Sequence, residues 1–261
     1  MAAAVRVIDE RQFGALTVKV ADTVAEMAMS AASCAADAVR TAIESRGAAN
    51  VMLATGNSQL EFLAELVKIR DLDWTRVRAF HMDEYVGLGP EHPASFQRYM
   101  RERVAALLPV GEFDYLSGDT GDPEREAERY EAALRAHPLD LCCAGIGENG
   151  HLAFNDPPVA DFDDPRDVKV VALEPESRHQ QVGEGHFATI DDVPTHAITV
   201  TIPALLRAGR VLVIVPEARK AAPVHTALYG PVSVACPASI LRRHANATLF
   251  LDAESSARLE S

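Results

Sequence analysis

The residues best suited to chemistry in this chain lie in one glycine-rich segment, Gly145 to Pro157. Three glycines fall within six residues after an apolar stretch, and His151 follows them, with Asn149 two positions before it and Asp156 five positions after it. Glycine permits backbone conformations that are closed to other residues, so such a turn can present a side chain at a strand end. An imidazole with polar neighbours is suited to general acid/base catalysis. We therefore expect His151 to be functional, the alternative being a structural histidine.

A second segment, His81-Met82-Asp83-Glu84-Tyr85, ends another predicted strand. Of its two adjacent carboxylates, Asp83 is our candidate for a base that removes a proton from a carbon next to a carbonyl or imine. The alternative is that one carboxylate caps a turn or pairs with an arginine. His81 and Asp83 also have the i, i+2 spacing of metal ligands on one strand face. No third ligand, at His92 or His151, has a recognisable spacing, so the sequence favours a site without metal.

A site for an anion is predicted at Thr55-Gly56-Asn57-Ser58, between a short apolar strand and a helix that begins near Ser58. Small residues there let a ligand approach the backbone, and the N-terminus of a helix presents unpaired N–H groups. Lys220, at the start of a late helix, could reach a phosphate as counter-charge, and Arg219 beside it could do the same. The alternatives are an ordinary turn with Ser58 as N-cap and a solvated helix start.

Apolar strands that alternate with amphipathic helices are predicted to position these segments. The pattern favours an α/β fold with a single doubly wound, mostly parallel sheet and helices on both faces. In such Rossmann-like sheets ligands bind at the carboxyl ends of the strands, and the segments follow strands. The predicted strands are Val51 to Ala54, Arg76 to His81, Leu139 to Ile146, Val168 to Leu173, Ala197 to Val200, Val211 to Pro216 and Thr248 to Leu251. The predicted helices are Asp9 to Ser45, Ser58 to Ile69, Ser95 to Leu107, Pro123 to Ala136, Pro203 to Ala208, Glu217 to Leu228 and Ala238 to Arg243.

The composition fits one domain over residues 1–261. The chain has 261 residues, of which 48% are hydrophobic, and it shows no repeat or linker that would divide it. A net charge of −13 disfavours nucleic acid and anionic membranes as partners, because both are bound through clustered lysine and arginine. Residues Met1 to Arg6 lack the charged and apolar regions of a signal peptide, and no uncharged apolar run reaches about 18 residues. A soluble, cytoplasmic protein is therefore expected.

Together these segments resemble the glucosamine-6-phosphate deaminase family, which shares a fold with the 6-phosphogluconolactonases. The markers are LATGNS, FHMDEYVGL followed by EHPASF, GIGENGHLAFNDP, and the RK pair of a late helix. The lactonases tend to carry a DER-like sequence where this chain has Asp83-Glu84-Tyr85, and a GPDGHTASLFP-like one in place of Glu148 to Pro157. In both segments this chain resembles the deaminases and not the lactonases.

The resemblance implies that Asp83 is the base that moves a proton between C2 and C1 of an amino-sugar phosphate, and that His151 opens the pyranose ring. Asn149 and Asp156 would orient and polarise that histidine. The family usually has glutamate at the position of Asp156, so the shorter carboxylate would reach His151 only if the loop moves inward or a water intervenes. The products would be a 2-ketose phosphate and ammonia, formed without metal or organic cofactor.

The same resemblance implies that the phosphate rests on Asn57 and Ser58, with Lys220 as counter-charge. Well-studied members also place a second phosphate-binding arginine a few residues beyond the position of Arg178, where this chain has none. Either phosphate binds more weakly, or Arg178 substitutes, or the substrate is another amino or keto sugar phosphate. Two other functions stay open: a sugar-lactone hydrolase in which His151 activates water, and a non-catalytic sensor of sugar phosphates. In each case the expected partner is a small molecule, and a homo-oligomer is compatible with the sequence.

Overall fold

The computed structural model describes residues 7–260. Its strands are β1 Val7–Phe13, β2 Leu16–Ala21, β3 Ala49–Leu53, β4 Val77–His81, β5 Asp83–Tyr85, β6 Glu112–Asp114, β7 Leu141–Ala144, β8 Val168–Ala172, β9 His196–Val200, β10 Arg210–Val215 and β11 Ala247–Leu251. Its α-helices are α1 Val24–Arg46, α2 Leu60–Leu66, α3 Phe96–Met100, α4 Pro123–Ala136, α5 Pro175–Gly183, α6 Ile202–Leu206 and α7 Ala221–Tyr229. Eight strands form a central sheet in the order β1-β2-β11-β10-β7-β3-β4-β6, in which β1 alone is antiparallel to its neighbour. The predicted α/β class with a mostly parallel sheet is confirmed.

Helices cover both faces of this sheet because its inner strands are apolar on both sides. In β10, Val211 and Val213 pack into one core, whereas Leu212 and Ile214 pack into the other. Alternate residues of a strand point to opposite faces, so a continuous apolar run predicts burial on both sides. α1 and α2 contribute to the core that contains Leu212, and α6 and α7 contribute to the opposite one.

The N-terminal region differs from the single helix predicted from Asp9 to Ser45. β1 and β2 form an antiparallel hairpin, and Gly14 adopts a φ of +64° in its turn. In β2 the alternating residues Leu16, Val18 and Val20 are buried, while those between them are partly exposed. That period of two is the pattern of a strand, and it outweighs the helical composition of the region. α1 follows the hairpin, so the helix prediction is correct only for its second part.

β5, β9 and β8 form a separate antiparallel sheet. The strands predicted at Val168 to Leu173 and Ala197 to Val200 belong to this small sheet and not to the central one, which corrects the prediction of a single sheet. β4 ends at His81 and β5 begins at Asp83, with only Met82 between them. The chain therefore passes directly from the central sheet to the small one, and this step places Asp83 at the carboxyl end of β4.

Most of the remaining predicted elements are confirmed within a few residues, but two helices differ in type. The helix predicted from Ser95 to Leu107 consists of α3 and a π-helical turn, Arg101–Ala105. The helix predicted from Ala238 to Arg243 is a 3₁₀ helix, Pro237–Arg243. The sequence analysis missed β5, β6 and α5. In the part of the chain that the structure describes, no helix combines the length and apolar character needed to cross a membrane.

Candidate active site

A cleft opens at the carboxyl ends of β3, β4, β7 and β10. Ligands of open parallel sheets bind at this edge. From the predicted site the cleft is lined by Thr55, Gly56, Ser58, Asp83, His151 and Lys220. Lining residues that the sequence analysis did not single out include Phe96, Phe154, Gln180, Gln181 and Glu184.

Asp83 faces the cleft with a carboxylate that has no hydrogen-bond donor among residues 7–260. Only its backbone is engaged, because β5 pairs it with Thr199 of β9. Burial, reinforced by the negative charge of Glu84, raises the pKa of Asp83 to about 8. An unpartnered carboxylate with a raised pKa is suited to take a proton from a bound ligand.

Glu84 has the capping role that was the alternative for one of the two carboxylates. Its side chain points away from the cleft and accepts hydrogen bonds from the hydroxyl of Ser95 and the N–H of Gln97, both at 2.8 Å. The N–H groups of Tyr85 and Phe96 also donate to it, at 2.8 and 3.2 Å. Burial raises the pKa of Glu84 to about 7, against the effect of these bonds. Glu84 therefore holds the start of α3 against β5.

His81 is a structural histidine. Its Nδ1 lies 2.9 Å from the carbonyl oxygen of Asp83, and its Nε2 accepts the N–H of Leu116 at 2.9 Å. Complete burial lowers the pKa of His81 to about 4, so the ring is neutral. Both nitrogens are committed to the backbone, and the pairing of His81 with Asp83 as metal ligands is not formed. Residues 7–260 contain no cluster of three or more His, Cys, Asp or Glu side chains that could hold a metal ion.

His151 is fixed through one nitrogen of its ring. Nδ1 lies 2.8 Å from Oδ1 of Asn149 and 2.9 Å from Oδ1 of Asp156. Both oxygens are acceptors, so Nδ1 carries the proton and Nε2 keeps its lone pair. No group in the described residues forms a hydrogen bond with Nε2. His151 can therefore accept a proton from a ligand in the cleft.

Asp156 reaches His151 directly, so its shorter side chain needs no bridging water. It is fully buried, and Oδ1 also accepts a hydrogen bond from Nδ2 of Asn149 at 2.8 Å. Beside it, Nδ2 of Asn155 donates to the carbonyl oxygen of Val200 at 2.9 Å, which holds the loop against β9. Burial raises the pKa of Asp156, but the hydrogen bonds from His151 and Asn149 more than offset this and leave the pKa below its ordinary value. The carboxylate is thus charged at neutral pH and holds the Nδ1–H of His151.

Ser177 completes this arrangement and was not predicted. Its hydroxyl donates to Oδ1 of Asp156 at 2.5 Å and lies 3.3 Å from Nδ1 of His151. It belongs to the first turn of α5, a helix that the sequence analysis missed. Pro175 and Glu176 open that helix, and a proline and an acidic residue in the first turn are a recognisable start signal.

The predicted anion turn lies only partly in the cleft. Thr55, Gly56 and Ser58 line it, whereas Nδ2 of Asn57 donates to the carbonyl oxygen of Glu184 at 3.2 Å. Gly56 adopts a φ of +97° and occupies the N-cap position of the 3₁₀ helix that precedes α2. The cap is therefore Gly56 and not Ser58. The Ser58 oxygen accepts a hydrogen bond from Nε2 of Gln59 at 3.1 Å, which leaves its O–H to donate into the cleft.

Lys220 is buried in the cleft wall, with 3% of its surface exposed. It ends the 3₁₀ helix Ala218–Lys220, which follows β10. No carboxylate within residues 7–260 forms a salt bridge with it, although the charge of Glu184 partly offsets the lowering of the Lys220 pKa by burial. A buried ammonium without a partner is unfavourable unless an anion binds beside it. Lys220 is therefore not at a solvated helix start. Its buried and unpaired charge favours an anion site in the cleft.

Arg178 is not brought to the cleft. Its guanidinium donates to the carbonyl oxygens of Ile190 and Val193, at 2.5 and 2.9 Å. These bonds connect α5 to the loop that follows it. The suggestion that Arg178 substitutes for the absent phosphate-binding arginine is therefore corrected.

Arg219 and Glu184 form an ion pair at the edge of the cleft. NH1 of Arg219 lies 3.1 Å from Oε1 of Glu184 and 3.1 Å from Oε1 of Glu148, and its Nε lies 2.6 Å from Glu217. The Glu184 side chain is 6% exposed, compared with 46% for Glu148. Arg219 was predicted from the sequence. Glu184 was not, because it follows α5, a helix that was not predicted.

Comparisons with known proteins identify the family of this chain. The family model of glucosamine-6-phosphate isomerases/6-phosphogluconolactonase matches residues 22–250. The chain belongs to this family. Glucosamine-6-phosphate deaminase of Exiguobacterium sibiricum is 37% identical over 207 residues, which cover 79% of this chain and 80% of the relative. The protein of the same name from Bacillus thuringiensis is 40% identical over 202 residues, which cover 77% and 75%.

Solved structures of the family have the same fold. A monomeric glucosamine-6-phosphate deaminase superposes with a TM-score of 0.83 at 29% identity, covering 92% of this chain and 98% of that one. A 6-phosphogluconolactonase from Shewanella baltica superposes with a TM-score of 0.71 at 21% identity, covering 95% and 99%. The second likeness shows the fold alone. The family predicted from the motifs is confirmed.

Proposed function

We propose that this family member is a glucosamine-6-phosphate deaminase, which converts glucosamine 6-phosphate to fructose 6-phosphate and ammonia. The observation that carries the proposal is the meeting of Asp83, His151 and Lys220 in one cleft. They supply a base without a hydrogen-bond partner, an oriented imidazole and a buried cation. Relatives named glucosamine-6-phosphate deaminase, at 37% and 40% identity, support the same activity.

His151 opens the pyranose ring of the bound sugar. With the proton on Nδ1, its Nε2 takes the proton of the anomeric hydroxyl. As the bond between C1 and the ring oxygen breaks, its electrons go to that oxygen, which receives the proton from Nε2. Asn149 and Asp156 hold the ring for this transfer and stabilise its transient positive charge, since both accept from Nδ1.

Asp83 carries out the isomerisation of the open-chain sugar. It removes the proton from C2, the C–H electrons form a C1–C2 double bond, and the aldehyde oxygen gains a proton, giving an enolamine. Reprotonation at C1 gives a ketimine at C2, which water hydrolyses to the ketone and ammonia. In its deprotonated form, which becomes the major one as the pH rises through 8, Asp83 is a stronger base than an ordinary carboxylate.

Lys220 and the turn from Thr55 to Ser58 bind the phosphate. The buried ammonium provides the counter-charge, and the backbone N–H groups and Ser58 hydroxyl provide hydrogen bonds. A substrate held at this end presents its reacting carbons towards Asp83 and His151 across the same cleft.

Two observations favour the deaminase over the other functions. Lactone hydrolysis needs a histidine that activates water, but it has no step that requires an unpartnered carboxylate such as Asp83. A sensor of sugar phosphates would need neither Asp83 nor the proton-bearing arrangement around His151. Burying a carboxylate without a donor is unfavourable for folding, and catalysis is the role that accounts for it.

The proposed substrate also bears on where the protein acts. Phosphorylated sugars carry charge that prevents them from crossing a lipid bilayer, so the enzyme is proposed to act in the cytoplasm, where such sugars are made.

Assembly into a homo-oligomer stays a prediction, and sedimentation of the purified chain measures it.

A product assay tests the proposed function. We expect ammonia and fructose 6-phosphate in equal amounts from glucosamine 6-phosphate, and no hydrolysis of 6-phosphogluconolactone. His151→Gln should lower kcat/KM by about 10²- to 10⁴-fold, the usual contribution of a general acid/base. His179→Gln is the matched control, because that histidine is exposed on α5 and does not line the cleft. Lactone turnover without ammonia, or an unchanged rate for His151→Gln, would contradict the proposal.

A further inference from the structure

Glu184 places a carboxylate inside the proposed phosphate site. A Cβ atom built on Gly56 would lie 3.9 Å from its Oε2, so the carboxylate faces the turn that lines the cleft. Its Oε1 accepts a hydrogen bond from Nε2 of Gln180 at 2.8 Å and lies 3.1 Å from NH1 of Arg219. Its Oε2 lies 3.4 Å from Nε2 of His186. Several donors therefore converge on one buried anion.

The charge of this carboxylate is maintained by its surroundings. Burial raises the pKa of Glu184, but the contact with His186, the hydrogen bond from Gln180 and the charges of Arg219 and Lys220 outweigh it and lower the pKa to about 2. Glu184 is thus ionised throughout the physiological range. It is a fixed negative charge at the place where a negatively charged group of the substrate must bind.

A phosphate would use the same donors. Guanidinium and ammonium groups recognise carboxylates and phosphates by the same charge-assisted hydrogen bonds. Lys220 has no salt bridge within residues 7–260, and Arg219 lies behind Glu184, a lining residue of the cleft with which it pairs. Two anions at this one position would repel each other, so the carboxylate and the phosphate exclude one another.

We infer that Glu184 determines specificity by competing with the substrate phosphate for Arg219. The phosphate displaces the carboxylate of Glu184, and Arg219 then pairs with the phosphate beside Lys220. This inference rests on the proposed function for the identity of the natural ligand. Arg219, rather than Arg178, supplies the second cation that the missing arginine would have supplied. Only a ligand with more negative charge than a carboxylate displaces Glu184, so sugars without a phosphate do not bind at this site.

The position of Glu184 in the chain allows the displacement. It directly follows the last residue of α5 and precedes Gly185, which adopts a φ of +82°. Glycine changes its backbone angles with little steric penalty, so rotation there can carry the side chain away from Arg219. The catalytic residues Asp83 and His151 lie on other elements and need not move.

Calorimetric titration with inorganic phosphate tests the inference without a turnover assay. We expect Glu184→Gln to bind phosphate about tenfold more tightly than the wild type, because a neutral amide keeps the shape but no longer competes for Arg219. Glu148→Gln is the matched control: it removes the same charge and also contacts Arg219, but it is exposed and lies outside the cleft. It should change the affinity by less than about threefold. The double variant Glu184→Gln with Arg219→Met should lose the gain.

Unchanged or weaker phosphate binding by Glu184→Gln would overturn the inference, because Glu184 would then support the site instead of competing for it. An equal gain in Glu148→Gln would also overturn it, as a general charge effect. If Glu184→Gln does not fold, Glu184→Ala must show the same tighter binding. Failure of the proposed function appears separately, as phosphate binding by the wild type without release of ammonia from glucosamine 6-phosphate.

Discussion

Asp83 and Glu84 are adjacent buried carboxylates with different surroundings. Glu84 accepts four hydrogen bonds, whereas Asp83 has no donor among residues 7–260. Their sequence neighbours do not reveal this difference, because it depends on how β5 turns away from β4. The proposed base is the one that the fold leaves without partners.

The raised pKa of Asp83 predicts a pH-dependent gain of stability in Asp83→Asn. The pKa is about 8 in the folded protein, compared with about 3.9 in an unfolded chain, so the folded state binds the extra proton between these values. The contribution of the protonated carboxyl to stability is complete below pH 4 and is lost as the pH rises through 8. Asparagine does not titrate, so the Tm of Asp83→Asn should exceed that of the wild type by several degrees at pH 9 and by less at pH 5. Thermal melts followed by circular dichroism measure this, and a Tm difference that does not vary with pH would contradict the assigned pKa.

The sequence predicted the candidate residues Asp83, His151 and Lys220, and it predicted Asn149 and Asp156 as supports of His151, but it did not predict Ser177 or Glu184. Asp83, His151 and Lys220 all follow strands, and the edge of a parallel sheet brings such residues together. Ser177 and Glu184 belong to α5 and the residue after it, and their directions depend on how that helix packs over the cleft. The prediction that Arg178 binds the phosphate was wrong for the same reason, because the direction of its side chain also depends on the packing of α5.

At the scale of elements, the loop from Gly145 to Pro157 positions the histidine. Gly147 lies against the His151 ring, so that a Cβ atom there would come within 2.2 Å of it. The N–H of His151 donates to Oδ1 of Asn149 at 3.1 Å, which fixes the turn from within. Position 147 thus requires glycine, because a larger residue would collide with the His151 ring.

Gly147→Ala is predicted to lower activity while leaving the fold intact. The added methyl group would lie 2.2 Å from the His151 ring, so we expect it to displace the ring from Asn149 and Asp156. We expect kcat/KM to fall by at least about tenfold, with a small change in Tm. Gly183→Ala, at a position with nothing within 4 Å of the added atom, is the matched control and should keep its activity. Equal activities of the two variants would contradict the positioning role of the loop.

Element prediction succeeded where apolar runs were long and failed where strands were short. β10 and β11 are apolar except at Arg210 and Thr248, and their bounds were predicted to within one residue. β5 and β6 have three residues each, too few to show a period. The hairpin before α1 was missed because alanine and valine occur in both kinds of element, and only the alternation in β2 distinguishes them.

At the scale of the whole molecule, strand order assembles the site. β10, β7, β3 and β4 are neighbours in the central sheet. Lys220 follows the first of them, His151 the second, the turn at Gly56 the third and Asp83 the fourth. A single sequence predicts that each follows a strand, but it does not give the order of the strands. The structure therefore adds the adjacency on which the proposed reaction depends.

The most direct test of this account is removal of the C2 proton by Asp83. Glucosamine 6-phosphate deuterated at C2 is incubated with the wild type and with Asp83→Asn, and retention of deuterium at C2 is followed by NMR together with ammonia. We predict that the wild type releases ammonia and removes the C2 deuterium, while Asp83→Asn does both about 10²- to 10⁴-fold more slowly yet binds inorganic phosphate as the wild type does. Loss of C2 deuterium at the wild-type rate in Asp83→Asn would contradict the assignment of Asp83 as the base.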